Sequence, residues 1–398
     1  MHLIPVYGTG LGVGLFSVAY LTVALVVLLR WQQQRPAGAL HCPAVSVLKP
    51  LCGAEPELYE NLRSFCDQRY PLFEVIFGVR SRSDAAVAVV ERLQAEFPHR
   101  QLVLVVDERI VGINHKVSNL THIAAQAQYD YLVVSDSDIR VGADYLSAVV
   151  SPLADSQTGA VTCLYRGRPV GMPWSHFGAL FIEGWFLPSV LLARAFGYGS
   201  FCLGASVALR RNVLEQIGGF QALTSQLADD YVLGQRISAK GLRVLLSPYV
   251  VETSVYEPSF SALLRHELRW ARTVRAVQPL GHAFSFLSYG IPLSCLAAAI
   301  VWPSQWALVL PGLAFTLRTT IYLCVNRDRL PQALTQVPLL PLRGLLSLLI
   351  WVASYGSCRV DWRERKLYIE RGGEISQRAE RPPWIGRDGH ASERELRS

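Results

Sequence analysis

The chain has 398 residues, of which 17% are charged and 51% hydrophobic, with a formal net charge of +7. That length suits one large domain or two ordinary ones; the apolar excess excludes an ordinary soluble protein, and the remaining charge points to a soluble domain joined to membrane segments. No basic stripe with interleaved aromatics is present, so the positive balance argues against nucleic acid and for an anionic lipid surface or a phosphate-rich substrate.

In chain order, the first element is an uncharged run of 22 residues, Gly8–Leu29. About 20 apolar residues cross a bilayer, and the run lacks the basic start and cleavage site of a signal peptide. Arg30 and Arg35 follow it, so the positive-inside rule puts the N-terminus outside and the next segment in the cytoplasm. Residues 1–35 are expected to be an anchor.

Short β runs then alternate with helical patterns from Ala44 to about Leu246. The β runs are "AVSVLK", "FEVIFGV", "QLVLVV", "YLVVSD", "GAVTCLY", "ASVAL" and "LRVLLS". This alternation predicts an α/β domain with a mostly parallel, doubly covered sheet over residues 36–257. Ligands in such sheets bind beyond the carboxyl ends of the strands.

Residues 258–281 predict an amphipathic interfacial helix, and residues 282–357 a membrane region. In that region His282–Trp302 and Gln305–Val325 predict a hairpin, with Arg318 inside its second arm. The third run, Leu339–Gly356, contains Arg343 and is short for a span. Three full spans would carry the basic tail, residues 358–398, outside, so the third run is expected to be interfacial or re-entrant. Disorder is expected from about Gln377 onward. The eight cysteines show no CxxC or zinc spacing and are expected to be reduced and mostly buried.

Four stretches could carry chemistry. In "VVSDSDIRVG" an apolar strand ends on Asp136 and Asp138. Alternate side chains of a strand share a face, and two carboxylates held together resist joint ionisation unless a cation lies between them. A hard ion such as Mg²⁺ or Mn²⁺, often accompanied by a diphosphate, suits such a pair; a polar strand end is the ordinary alternative. In "VGINHKVSNL", Asn114 and Lys116 flank a helix start, which suits phosphate, or simple capping. In "LADDYVLG", capping explains one of Asp229 and Asp230 but not both, and the other is a candidate general base. In "RHELRWARTVR", Arg269, Trp270 and Arg272 lie together on a helix that is basic against lipid or able to hold a departing diphosphate. For Asp84, capping alone is an adequate explanation.

Taken together, the order Asp84, "NHK", DxD, "DDY", then "RW" just before the membrane resembles membrane-bound glycosyltransferases of GT-A type in the ceramide glucosyltransferase family. "SVLKPLCGAEPELYENLRSFCDQRYP" is similar to that family's opening. "HELRWARTVR", "VTCLYRG" and "FCLGASVALRR" are more similar to its bacterial hopanoid-associated branch. The resemblance implies inverting transfer of a hexose from a UDP-sugar to a lipid hydroxyl at the bacterial inner membrane, with the catalytic domain facing the cytoplasm. It implies N-acetylglucosamine and a hopanoid as sugar and acceptor, with UDP-glucose and ceramide as the alternative pair. By motif, Asp84 would contact the uridine, with Asn114 and Lys116 supporting the nucleotide. Asp136 and Asp138 would hold metal and diphosphate, and Asp230 would be the base. Asp229, His266, Arg269 and Trp270 would line the diphosphate and acceptor side. The sequence departs from the family pattern at Ser81 and Ala85, which flank the first motif, and at His266, where the last motif usually has Gln or Arg. A non-catalytic membrane protein that binds nucleotide-sugar or metal remains a reading of another class.

Overall fold

The computed structural model describes residues 3–34, 41–362, 365–370 and 372–376. All seven β runs form strands of one eight-stranded sheet. These are β1 (Val45–Pro50), β2 (Phe73–Val79), β3 (Gln101–Val106), β4 (Tyr131–Val134), β6 (Thr158–Pro169), β7 (Val207–Arg210) and β8 (Arg243–Val255). The two-residue β5 (Ile139–Arg140) is the eighth, and the order is β3-β2-β1-β4-β7-β6-β8-β5. β1 and β2 are buried along their whole length, which is why they read as unbroken apolar runs rather than alternating ones.

Pairing is parallel across β3-β2-β1-β4 and again between β6 and β8, and antiparallel at β7 and β5. The fold is therefore mixed α/β with a mostly parallel sheet, as the sequence predicts. Helices cover both faces: Phe65, Val90 and Leu93 pack on one side, Val117, Leu120 and Ile123 on the other. β6 and β8 run on beyond the sequence expectation and carry the sheet to the membrane helices.

Leu3–Gln32 forms one helix. Gly10 lies against Ile300, Gly14 against Ala297 and Leu310, and Leu21 against Gly290. Small residues let these backbones approach closely. The contacts make helix Gly290–Val301 antiparallel to the first helix, and Trp306–Val325 parallel to it. Gln32 Nε2 donates to the Cys324 carbonyl at 2.7 Å, which closes that bundle at one end. The expected first arm, His282–Trp302, is not one straight helix: Pro279–Ser288 and Gly290–Ile300 meet at 66°.

Two more helical stretches, Pro173–Ala195 and Arg327–Ser354, have the length and composition of a span. The first was not expected, because it lies inside the interval read as a soluble domain. Its ends bond opposite ends of β8: Ser175 Oγ accepts from Glu257 N at 3.0 Å, and Arg194 Nη1 donates to Val244 O at 3.1 Å. It therefore lies along the sheet. A π-turn, Ile182–Phe186, interrupts it, and Arg318 donates to the carbonyls of Gly184 and Ser288. A π-turn leaves carbonyls without their intrahelical donor, and the buried guanidinium supplies one.

Arg327–Ser354 also has both ends on the sheet domain's side. Arg166 pairs with Asp328 at 2.5 Å, and Arg275 Nη1 donates to the Ser354 carbonyl at 2.5 Å. Between them, Arg343 pairs with Glu267 at 2.6 Å, both buried. After this helix, Arg359–Trp362, Arg365–Ile369 and Ile375–Ser376 form an antiparallel three-stranded sheet that the sequence did not suggest. The stretch from Gln377, expected to be disordered, lies outside the described residues. All eight cysteines are free, but only Cys66, Cys163 and Cys202 are buried, so the expectation of mostly buried thiols is corrected.

Candidate active site

The parallel strands β1, β2 and β4 deliver three loops to one edge of the sheet. The loop after β1 carries Gly53, the loop after β2 carries Asp84, and the turn after β4 carries Asp136 and Asp138. Gly53 takes a left-handed conformation (φ 73°), and its N–H reaches both Asp84 carboxylate oxygens, at 2.9 and 3.1 Å. Ala86 N also donates to Asp84, so this carboxylate ties two loops together beside the helix start.

β4 ends at Val134, two residues before the first aspartate of the pair. Asp136 and Asp138 therefore sit in a turn, and the expectation that they share one strand face is corrected. What holds them is tertiary. Thr253 Oγ1, near the end of β8, donates to Asp138 Oδ2 at 2.8 Å, and Ser254 N donates to the Asp138 carbonyl at 2.8 Å. Behind the turn, the buried ammonium of Lys49 on β1 donates to the Asp136 carbonyl at 2.5 Å and to Ser135 Oγ at 3.3 Å. Burial lowers the Lys49 pKa to about 7, with Asp136, Asp138 and Cys66 opposing that shift.

The two remaining motifs meet this turn. Asn114 caps helix His115–Gln126 by accepting from Val117 N at 3.1 Å. Its Nδ2 donates to the Gln226 carbonyl at 2.7 Å, so the capping residue also fixes the loop before the acidic doublet. Lys116 lies 2.7 Å from Asp136 Oδ1 and 3.6 Å from Asp229 Oδ2. Ala228, not an aspartate, is the N-cap of helix Asp229–Ala239, so capping accounts for neither carboxylate. Asp230 accepts from Gly204 N at 2.6 Å through Oδ2 and from Tyr231 N at 2.8 Å through Oδ1.

Sequence reasoning missed Gly204. A methyl group built there would lie 3.2 Å from Asp230 Oδ2, 3.3 Å from Asp136 Oδ2 and 3.5 Å from Lys116 Nζ. Only a bare backbone approaches all three so closely. The signal lay in "FCLGAS", a glycine between a buried cysteine and a strand.

The charges here are unbalanced. Burial raises Asp138 to about 6, with Asp136 and Glu55 adding to the shift. Burial also raises Asp230 to about 6, with Asp229 adding while Lys116 and the two N–H donors oppose. Asp229 is raised by burial against the pull of Lys116. For Lys116, burial acts downward, but Asp136, Asp229 and Asp230 outweigh it and keep the amine charged. Carboxyl groups that burial and mutual repulsion hold back from ionisation suit a hard divalent cation, whose charge would favour their ionised forms. Among the described residues no three His, Cys, Asp or Glu side chains form a cage, so a cation held by Asp136 and Asp138 would complete its oxygen shell from diphosphate and water.

The far wall is helix Phe260–Val277, capped by Ser259, whose Oγ accepts from Ala262 N at 3.2 Å. Trp270 stands edge-on to His266 (ring centroids 4.6 Å apart) and tilts toward Phe181 and Phe186 of the π-turn region. His266 Nδ1 lies 2.6 Å from Glu257 Oε1. Arg269 acts, with Asp136, Asp138 and Asp230, on the buried Tyr165 hydroxyl, which burial and the aspartates keep protonated. Arg272 turns away and donates to the Arg359 carbonyl at 2.6 Å.

The small C-terminal sheet closes the rim. Leu227 N donates to Gly373 O at 3.0 Å, and Ile375 N to Ser225 O at 2.8 Å. Arg365 donates to the Ile113 carbonyl at 3.0 Å and lies 2.7 Å from His115 Nε2. Leu227, Val360, Leu367, Ile369 and Ile375 form its core. A separate depression of about 300 Å³ at the other end of β4, lined by Tyr131, Arg210 and Gln216 among others, carries no carboxylate.

The family model described as glycosyl transferase family 21 matches residues 11–375. Ceramide glucosyltransferase 3 of Caenorhabditis elegans is 25% identical over 346 residues, covering 84% of this chain and 74% of that protein. An N-acetylglucosaminyltransferase of Rhizobium meliloti is 24% identical over 249 residues, covering 60% of this chain and 57% of that protein. Among solved structures, a mannosyltransferase of Pyrobaculum calidifontis in complex with GDP-mannose and Mn²⁺ superposes with a TM-score of 0.54 at 20% identity, over 86% of this chain and 99% of that one. With its acidic motifs converging at the strand ends of a GT-A sheet and a family match over nearly its whole length, the chain belongs to glycosyltransferase family 21 and is a membrane-associated hexosyltransferase that uses a nucleotide-sugar.

Proposed function

We propose that the enzyme transfers N-acetylglucosamine from UDP-N-acetylglucosamine to a hydroxyl of a membrane lipid, with inversion, and that the lipid is a hopanoid. The observation that carries the transfer reaction is the placement of Asp230. Its carboxylate is fixed by two N–H donors, next to the Asp136/Lys116 pair and on the side of the membrane-facing helix. The acceptor oxygen attacks the anomeric carbon, its proton passes to Asp230, the bond to the diphosphate oxygen breaks, and UDP departs with the electron pair. A divalent cation, when bound, neutralises charge on that diphosphate. Asp136 and Asp138 would hold it, Lys116 and Arg269 would face the departing group, and Asp84 with Asn114 would shape the nucleotide end. Trp270 and His266 would line the acceptor's approach.

The pairing of the apolar helices and the arginine after the first of them support one membrane disposition. The first helix crosses from outside to the cytoplasm. Gly290–Val301 and Trp306–Val325 go out and back beside it, and Arg327–Ser354 lies along the cytoplasmic interface. The tail then returns to the active-site side, where its sheet is bonded to Ser225 and Leu227.

The similarity to ceramide glucosyltransferase 3 favours a second pair, UDP-glucose and ceramide. Mass spectrometry of lipids from cells with and without the protein separates the two. A lipid gaining a hexosamine supports the first reading, a hexosylated sphingolipid the second. No change in any glycolipid would sink both.

A further inference from the structure

We propose that Lys116 is a built-in cation that stands in for metal charge between turnovers and moves from Asp136 to the donor's diphosphate when metal and nucleotide arrive. The inference rests on the proposed metal–diphosphate reading of Asp136 and Asp138.

Four carboxyl groups, Asp136, Asp138, Asp229 and Asp230, converge here with two lysine amines, Lys49 and Lys116. The two lysines differ in freedom. Lys49 is fully buried on a central strand and bonded to the main chain of the turn, so it is fixed. Lys116 lies in the first turn of its helix, its side chain 22% exposed, and bridges an oxygen of Asp136 and one of Asp229. It therefore occupies a carboxylate oxygen that the metal would claim, and it touches both acidic motifs at once.

A divalent ion that takes this oxygen without a nucleotide displaces the ammonium from its closer partner and leaves it only the longer contact to Asp229, at 3.6 Å. An ion arriving with a nucleoside diphosphate brings a new acceptor for the same ammonium. Metal and nucleotide therefore bind with positive coupling, and by linkage each strengthens the other by the same factor. Some coupling arises from direct metal–diphosphate contact; the part carried by Lys116 is the part lost when its charge is removed. Between turnovers, the same ammonium keeps Asp136 and Asp229 paired without a metal.

The test titrates full-length protein in detergent micelles with Mn²⁺, reading free ion by electron paramagnetic resonance, with and without UDP. In the wild type, UDP should raise Mn²⁺ affinity about tenfold or more. Lys116→Met should bind Mn²⁺ alone more tightly than wild type, bind UDP more weakly, and lose most of the UDP enhancement. Lys116→Arg keeps the charge and should retain that enhancement. Should the methionine variant not fold, Lys116→Gln is read in the same way. If the neutral variant shows the full wild-type enhancement and unchanged affinity for Mn²⁺ alone, the exchange is overturned while the metal–diphosphate reading stands. If Mn²⁺ binds no form of the protein even with UDP, both fall.

Discussion

The proposed donor side and the proposed acceptor side of this site are built by different means. On the donor side, parallel strands β1, β2 and β4 end side by side and bring the loops that follow them to one edge of the sheet, where β8 then fixes Asp138. On the acceptor side, nothing local does this work. Helix Phe260–Val277 is held by an ion pair to a membrane-region helix, by aromatic contacts to the π-turn, and by bonds to a sheet almost a hundred residues further on. Strand geometry makes the donor half robust, and distant tertiary contacts make the acceptor half conditional.

The largest expected effect tests the hinge between the halves. Asp230→Asn removes the base but keeps the shape, so kcat should fall by about 10²–10⁴ while UDP binding persists. Full turnover in this variant would end the assignment. Next comes the pin on the acceptor side. Arg343 and Glu267 are 0% and 6% exposed, so Arg343→Met alone strands a buried carboxylate and should cost about 3–5 kcal/mol of stability. Replacing both by apolar residues should recover most of the loss in thermal unfolding. If the single and double variants melt together, the pair does not hold this helix.

A smaller effect is expected at Gly204. Gly204→Ala places a methyl 3.2 Å from Asp230 and 3.3 Å from Asp136, and should cost on the order of tenfold in kcat/KM with the fold intact. The smallest concerns pH. Asp230 is raised to about 6, so it is protonated, and useless as a base, below that value. The kcat/KM of the free enzyme should fall as pH drops through about 6, by roughly tenfold at pH 5. A profile flat down to pH 4.5 would contradict the environment described for this carboxylate.

The same divide governs what the sequence revealed. All seven β runs were legible, because buried strands must be short and apolar, and the acidic doublet was legible because capping could not use both members. Local pattern stops being a guide where an element ends and tertiary contacts take over. Asp136 and Asp138 were placed on a strand that ends before them, and it is Thr253 and Ser254, more than a hundred residues later, that fix Asp138. Lys49 lay hidden in an ordinary strand. Pro173–Ala195 read as part of the soluble domain although its length and composition are those of a span; what the sequence does not show is that it lies along β8 against the membrane helices. The C-terminal sheet was illegible for a related reason: its strands are short and polar outside, and their pairing is worth forming only against Leu227, Ile113 and Ala276.

That last sheet has a consequence in time. Asp230, the proposed base, and the helix carrying Trp270 are synthesised well before Arg359–Ser376, yet the loop preceding Asp230 is bonded to Gly373 and Ile375. Residues through Ile375 must therefore have left the ribosome, and the membrane segments before them must already be inserted, before the rim around Asp230 can close. The order of translation itself would then keep a half-inserted chain from spending sugar donor.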